Sequence, residues 1–168
     1  MNSLVIYFSH VGENYMSDGI RNIEIGNTKI VANFISEITG ANLFEVETKE
    51  LYPYNYKECC DRAKFELENN IKPILVKYLT DISNYDVIYV GGPIWYGTYP
   101  MALFSIIEKL DLSAKLIMPF STHEGSKFGN AIKDLSKYAK GATIKEGLAI
   151  RGSSAKDSKK ILEKWCLI

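Results

Sequence analysis

Short apolar runs alternate along this chain with segments whose apolar positions recur every three or four residues. The first run, Leu4-Val5-Ile6-Tyr7-Phe8, is apolar on both sides of a period-two pattern, and Ile30, Val31, Phe34, Ile35 and Ile38 follow at helical spacing. This reads as strand, loop and helix, with Gly40 suited to the left-handed residue that ends a helix. Asn42 to Glu47 then alternates as an edge strand with one wet side does. Tyr56, Cys59, Cys60, Ala63 and Leu67 mark a second helix, stopped before Pro73. Its two cysteines are read as small buried hydrophobes on the apolar face. Ile74 to Asn84 predicts a further short helical stretch.

Asp86 to Gly92 and Leu116 to Phe120 are two more strands apolar on both sides. Leu103, Ile106, Ile107 and Leu110 form a helix face, and a helix near Asn130 to Tyr138 turns Ile132 and Leu135 inward. Pro119 cannot donate to a ladder, so it is expected near the end of its strand or beside a bulge. The last strand, about Thr143 to Ile150, is interrupted by Gly147. A final helix, capped by Ser153 or Ser154, is expected to bury Ile161, Leu162 and Trp165. The alternation predicts an α/β fold, a doubly wound five-stranded parallel sheet with helices on both faces. Strands one, three and four belong in the centre and two and five at the edges, which gives the order 2-1-3-4-5. The loops after strands one, three and four then meet at the carboxyl end of the sheet, where the winding reverses.

At 168 residues the chain fits a single domain spanning 1–168. Twenty basic side chains balance twenty acidic ones, so the charge leaves no footprint for nucleic acid or an anionic membrane. No apolar run reaches the length of a membrane span, and the N-terminal run is too short for a signal-peptide core, so a cytoplasmic location is expected. Three cysteines without CxxC or Cys/His spacing favour neither a disulfide framework nor a zinc site.

The three converging loops hold the candidate chemistry. Loop one places Ser9, Asn27 and Thr28 at a helix start, where unpartnered N–H groups and the helix dipole favour an anion. Neither GxxxxGK[ST] nor GxGxxG is present, which points to a phosphate monoester. Loop two, Pro93-Ile94-Trp95-Tyr96-Gly97, sets two large aromatics on a turn, a stacking platform for a flat ring, with Gly97 free to take positive φ. Loop three supplies Ser121, Thr122, Gly125 and Ser126. Both histidines, His10 and His123, fall in these loops, and His123 can donate to an electron-rich ring or relay protons. Architectural roles stay open beside these: a helix cap for Asn27 and Thr28, core packing for Trp95 and Tyr96, a solvated surface for the histidines.

Tyr7-Phe8-Ser9 followed by Gly26-Asn27-Thr28, then Gly92 to Thr98, then Ser121 to Ser126, resembles the three FMN-binding loops of the flavodoxin family, in order along nearly the whole chain. The resemblance implies FMN, with phosphate in loop one, the isoalloxazine between loops two and three, and electron transfer as the task. It assigns the phosphate to Ser9, Asn27 and Thr28 and the packing of the flavin to Trp95 and Tyr96. The chain departs from the family by an insertion in loop one, about Val11 to Ile25. This insertion is expected to fold beside the FMN, with His10, Asn14 or Tyr15 contributing. Flavodoxins are also strongly acidic, whereas this chain is neutral, and the strand-five insertion of the long members is not evident.

Two functions follow from the resemblance. One is an electron carrier serving redox partner proteins. The other is an NAD(P)H-dependent FMN oxidoreductase acting on a quinone or other small acceptor, in which His123, with Tyr15 or Tyr96, steadies the reduced flavin or relays a proton. A receiver-like signalling module is disfavoured, because it needs acidic residues where Ser9-His10 and Gly91-Gly92-Pro93 stand.

Overall fold

The computed structural model describes residues 1–167. Strands β1 (Ser3–Tyr7), β5 (Val87–Pro93) and β6 (Leu116–His123) form the centre of a parallel sheet. Strand β4 (Asn42–Glu45) pairs with β1 at one edge, while β7 (Thr143–Ile144) and β8 (Leu148–Arg151) share the other edge against β6. This is the expected 2-1-3-4-5 order, with the fifth position filled by two short strands.

Strand alternation builds two cores. Ile6, Ile88, Val90 and Ile117 face one side, with helices α2 (Tyr56–Glu68), α3 (Met101–Ile107) and α4 (Ala131–Tyr138) over them. Val5, Tyr7, Tyr89 and Phe120 face the other, beneath α1 (Asn27–Thr39) and α5 (Lys159–Trp165). Both sides of the central strands are dry, which is why they read as continuous apolar runs.

Pro119 lies within β6, opposite Val90. The Lys145 N–H donates to the Ile117 carbonyl on the fifth-strand side, and the Pro119 carbonyl lies on that side too, near Gly147. The missing N–H of Pro119 therefore falls at the break between β7 and β8, where no ladder bond is lost.

Three local expectations are corrected. Residues 74–84 form no helix: the Val76 N–H donates to Glu47 and the Lys49 N–H to Ile74, so this segment bridges the chain beyond β4 and buries Leu75 and Ile82. Long-range pairing outweighs a weak local pattern there. The final helix follows a 3₁₀ turn, Gly152–Asp157, and begins at Lys159, so neither Ser153 nor Ser154 caps it. With only two turns it buries one stripe, Leu162 and Cys166, and leaves Ile161 half exposed and Trp165 at the margin. The insertion is a β-hairpin off the main sheet, β2 (Gly12–Met16) antiparallel to β3 (Gly19–Ile23), closed by Ser17-Asp18.

Candidate functional site

A cavity of about 410 Å³ opens at the carboxyl ends of β1, β5 and β6, walled by the hairpin, the N-terminus of α1 and one face of α2. Its size lies in the range of small-ligand sites. The 13-residue helix α1 begins after Gly26 without a side-chain cap. Among the described residues, the N–H groups of Asn27 and Thr28 have no acceptor, whereas the Lys29 N–H donates to Ser9 Oγ at 3.1 Å. Ser9 thus serves the helix and does not line the cavity, and the free N–H groups sit where an anion is best held. Thr28 is buried and its hydroxyl meets that of Thr122 at 2.7 Å, which ties loop one to loop three.

In loop two the Trp95 N–H donates to Thr98 at 2.8 Å and the Thr98 N–H returns to Trp95, closing a two-residue turn. Both central residues lie at positive φ, 50° at Tyr96 and 79° at Gly97, the signature of a type I′ turn. Gly97 adopts this freely, but a tyrosine there is an outlier of the kind that concentrates at functional sites. The Gly97 carbonyl accepts the Asn130 N–H at 2.6 Å, so it is committed to the start of α4, and Gly97 does not line the cavity. Trp95 meets Phe8, His10 and Tyr52 edge-on at 5.4, 5.6 and 5.1 Å. It both packs on the core and presents surface to the cavity. Tyr52 is itself held by its hydroxyl on Glu66 and by the Arg62 guanidinium 4.0 Å above its ring. Pro93, Ile94 and the half-exposed Tyr96 complete this wall.

The histidines differ in role. His10 is buried, and its Nε2 lies 3.0 Å from the Pro53 carbonyl, which can only accept. The proton is therefore on Nε2, and Nδ1 accepts from the Asn14 amide, whose nitrogen also donates to the carbonyls of His10 and Gly12. Burial lowers the His10 pKa despite these bonds and keeps the ring neutral. His123 accepts the Gly125 N–H at Nδ1, 2.9 Å away. That leaves Nε2–H as a donor on the cavity wall. Burial, and then Arg151, lower its pKa.

Thr122, Gly125 and Ser126 line the cavity. Ser121 does not: it is fully buried and its hydroxyl donates to the Lys127 carbonyl, shaping loop three from beneath. Asn14 and Tyr15 reach the cavity from the hairpin, with Tyr15 6.3 Å from the Tyr56 ring.

Several lining residues were not expected: Glu13, Tyr56, Cys59, Cys60, Ala63, Glu124 and Gly152. Tyr56, Cys59, Cys60 and Ala63 share one helix stripe, and a stripe of tyrosine and cysteines is the signal that it faces more than core. Cys59 is the more buried thiol, pushed up to about 12 chiefly by burial, while Cys60 is only half-buried. Burial and the neighbouring Cys60 push Tyr56 up to about 12. Glu124 sits in a donor-rich loop where an acid is out of pattern.

Residues 22–166 match the sequence profile of a family described as Flavodoxin. The chain belongs to the flavodoxin family. The match begins after β1 and β2, so it leaves out most of the hairpin. Among solved structures, a protein described as a flavoprotein from Bacteroides uniformis is 25% identical, with a TM-score of 0.78 over 98% of this chain and 96% of that one. A second from Bacteroides eggerthii is 23% identical, with a TM-score of 0.72 over 96% and 97%. A flavoprotein from Lactobacillus acidophilus, solved in complex with FMN, is 21% identical, with a TM-score of 0.67 over 93% and 97%. The latter two share the fold. No curated protein sequence matches the chain.

Proposed function

We propose that this flavodoxin-family chain binds FMN and acts in electron transfer in the cytoplasm. One observation carries the reading: the free N–H groups that open α1 and the indole of Trp95 face one cavity, which offers a phosphate site and a ring platform on rigid elements. The donor set fits the cofactor. Asn27 and Thr28 hold the phosphate, Trp95 and Tyr96 pack the ring, and loop three from Thr122 to Ser126 meets its edge with the His123 Nε2–H among the donors. When bound, FMN supplies one- and two-electron chemistry, while the protein supplies binding, orientation and electrostatics. The Trp95 indole and the hairpin wall the cavity and would shield a bound ring from water, and the neutral His10 adds no charge to it.

A second reading is favoured by the rim. Tyr15 from the hairpin, Tyr56 from α2 and Tyr96 from the strained turn give the cavity an aromatic mouth. Such a mouth suits a planar small acceptor such as a quinone, and hence an NAD(P)H-dependent oxidoreductase, better than it suits a docking protein. In that reading His123 holds a proton at Nε2 beside the ring. For the carrier, redox proteins are the partners.

A visible absorption spectrum with added FMN, followed by NADPH without any reductase, tests both. A shifted, protein-bound flavin spectrum is expected, with colour that persists after NADPH for the carrier. Prompt bleaching replaces the carrier with the oxidoreductase, and an unshifted spectrum of free FMN removes both.

A further inference from the structure

Glu124 is the least expected side chain in the cavity wall. Its side chain is 9% exposed. Oε1 accepts two bonds from Ser153, the N–H at 2.7 Å and the hydroxyl at 2.6 Å. Oε2 is buried and, among the described residues, has no hydrogen-bond partner. The closest cation, Arg151, stands 4.0 Å from it and donates weakly to the Glu124 carbonyl instead. A buried carboxylate oxygen left unpaired costs far more than one exposed to water, so an arrangement that keeps one calls for a donor from elsewhere.

The position of Glu124 narrows that donor. At Gly152, the first residue of the 3₁₀ turn after β8, the backbone comes so close to loop one that a Cβ there would lie 2.5 Å from the Asn27 amide nitrogen and 3.2 Å from Glu124 Oε1. Asn27 and Glu124 therefore flank the same glycine, at the end of the cavity where α1 begins. A phosphate would be repelled by this carboxylate, and a flat ring belongs with Trp95.

We propose that Glu124 is a binding residue for a sugar-alcohol chain next to the phosphate, its Oε2 accepting a hydrogen bond from a ribityl hydroxyl. The proposal rests on the FMN reading and deepens it. The other oxygen has a separate task, because the Ser17 N–H at the hairpin turn donates to Ser153 Oγ at 2.9 Å. Glu124 thus joins the hairpin tip to loop three through Ser153 while its second oxygen serves the ligand.

Three flavins separate the parts of the ligand: lumiflavin, a ring without the chain; riboflavin, ring and chain; and FMN, which adds phosphate. Affinities are measured by quenching of flavin fluorescence, with far-UV circular dichroism as the check on folding. Glu124→Gln places a donor where the acceptor stood. It is expected to weaken riboflavin and FMN by the same factor, about tenfold to a hundredfold for a bond to a charged group, and to leave lumiflavin unchanged. Ser153→Ala removes the link to the hairpin but keeps Oε2, and is expected to leave riboflavin within about twofold. Loss confined to FMN, loss shared by lumiflavin, no loss at all, or an equal loss in Ser153→Ala each overturns the assignment of Oε2 to the chain. A wild-type protein that binds none of the three flavins overturns the FMN reading itself and this proposal with it.

Discussion

The central strands and the inserted hairpin both border the cavity, but they are held by different forces. Val5, Ile6, Ile88, Val90, Ile117 and Phe120 are completely buried, whereas Tyr15 and Ile20 on the hairpin are more than half exposed. The strands stand where they do because apolar surface has nowhere else to go. The hairpin stands where it does through a few polar links: Glu13 to the Tyr56 and Asn55 N–H groups and to the Tyr54 carbonyl, Asn14 to His10, and Ser17 to Ser153. Each such bond contributes only about 1 kcal/mol net. The difference teaches that one wall of the site is anchored by buried apolar surface and the other by a few polar links, so the hairpin is expected to open locally before the sheet does.

The largest expected effect lies on the strand side. Phe120→Ala is expected to cost about 3–5 kcal/mol in denaturant unfolding, because its ring fills the sheet surface beneath α1 and α5. A loss below about 1 kcal/mol would mean that the strands are no better anchored than the hairpin.

Next comes the shared wall. Trp95→Ala is expected to weaken FMN by about 1–3 kcal/mol, since the indole both packs on the core and faces the cavity. Cys166→Ala, in the opposite core, is the control and leaves FMN affinity unchanged. Cys59 cannot serve as that control, because it lines the cavity. Equal effects from Trp95 and Cys166 would place the flavin elsewhere.

A smaller effect joins the two regions through pH. Burial lowers the pKa of His10 and of His123 in the folded protein, so the folded state resists protons that the unfolded chain accepts. Stability from this source is complete above the ordinary histidine value of 6.5 and falls as the pH drops below it. Thermal unfolding between about pH 7.5 and pH 5.5 is expected to show this decline, and His10→Gln to make it shallower. A slope identical in His10→Gln would leave His10 no part in it.

The smallest global effect tests the hairpin alone. Ser153→Ala is expected to change overall stability by less than about 1 kcal/mol, yet to speed amide exchange in β2 and β3 by roughly tenfold. Exchange that stays as slow as in β1 would show the hairpin to be part of the core.

Sheet order, the three convergent loops and the start of α1 beside them were legible in the sequence, because each rests on a local periodicity or on an apolar run with two dry sides. Pro119 was legible as a puzzle, and the break between β7 and β8 resolves it. The roles of Ser9 and Ser121 were not. Both were read as site donors, and both are turned to backbone groups, Ser9 to the Lys29 N–H and Ser121 to the Lys127 carbonyl. A hydroxyl in a binding loop has the same sequence signature whichever way it faces.

By itself the sequence determined which segments are buried on both sides, and hence that loops after three central strands meet at one end of a doubly wound sheet. Only the tertiary structure decided how the hairpin closes that end, that the tyrosine and cysteine stripe of α2 forms a wall, and that Glu124 keeps a free oxygen there. The reason is physical. Hydrophobic periodicity is a property of neighbouring residues, while the Ser17–Ser153–Glu124 chain joins groups 136 and 29 positions apart, and no local pattern encodes a contact made across that distance.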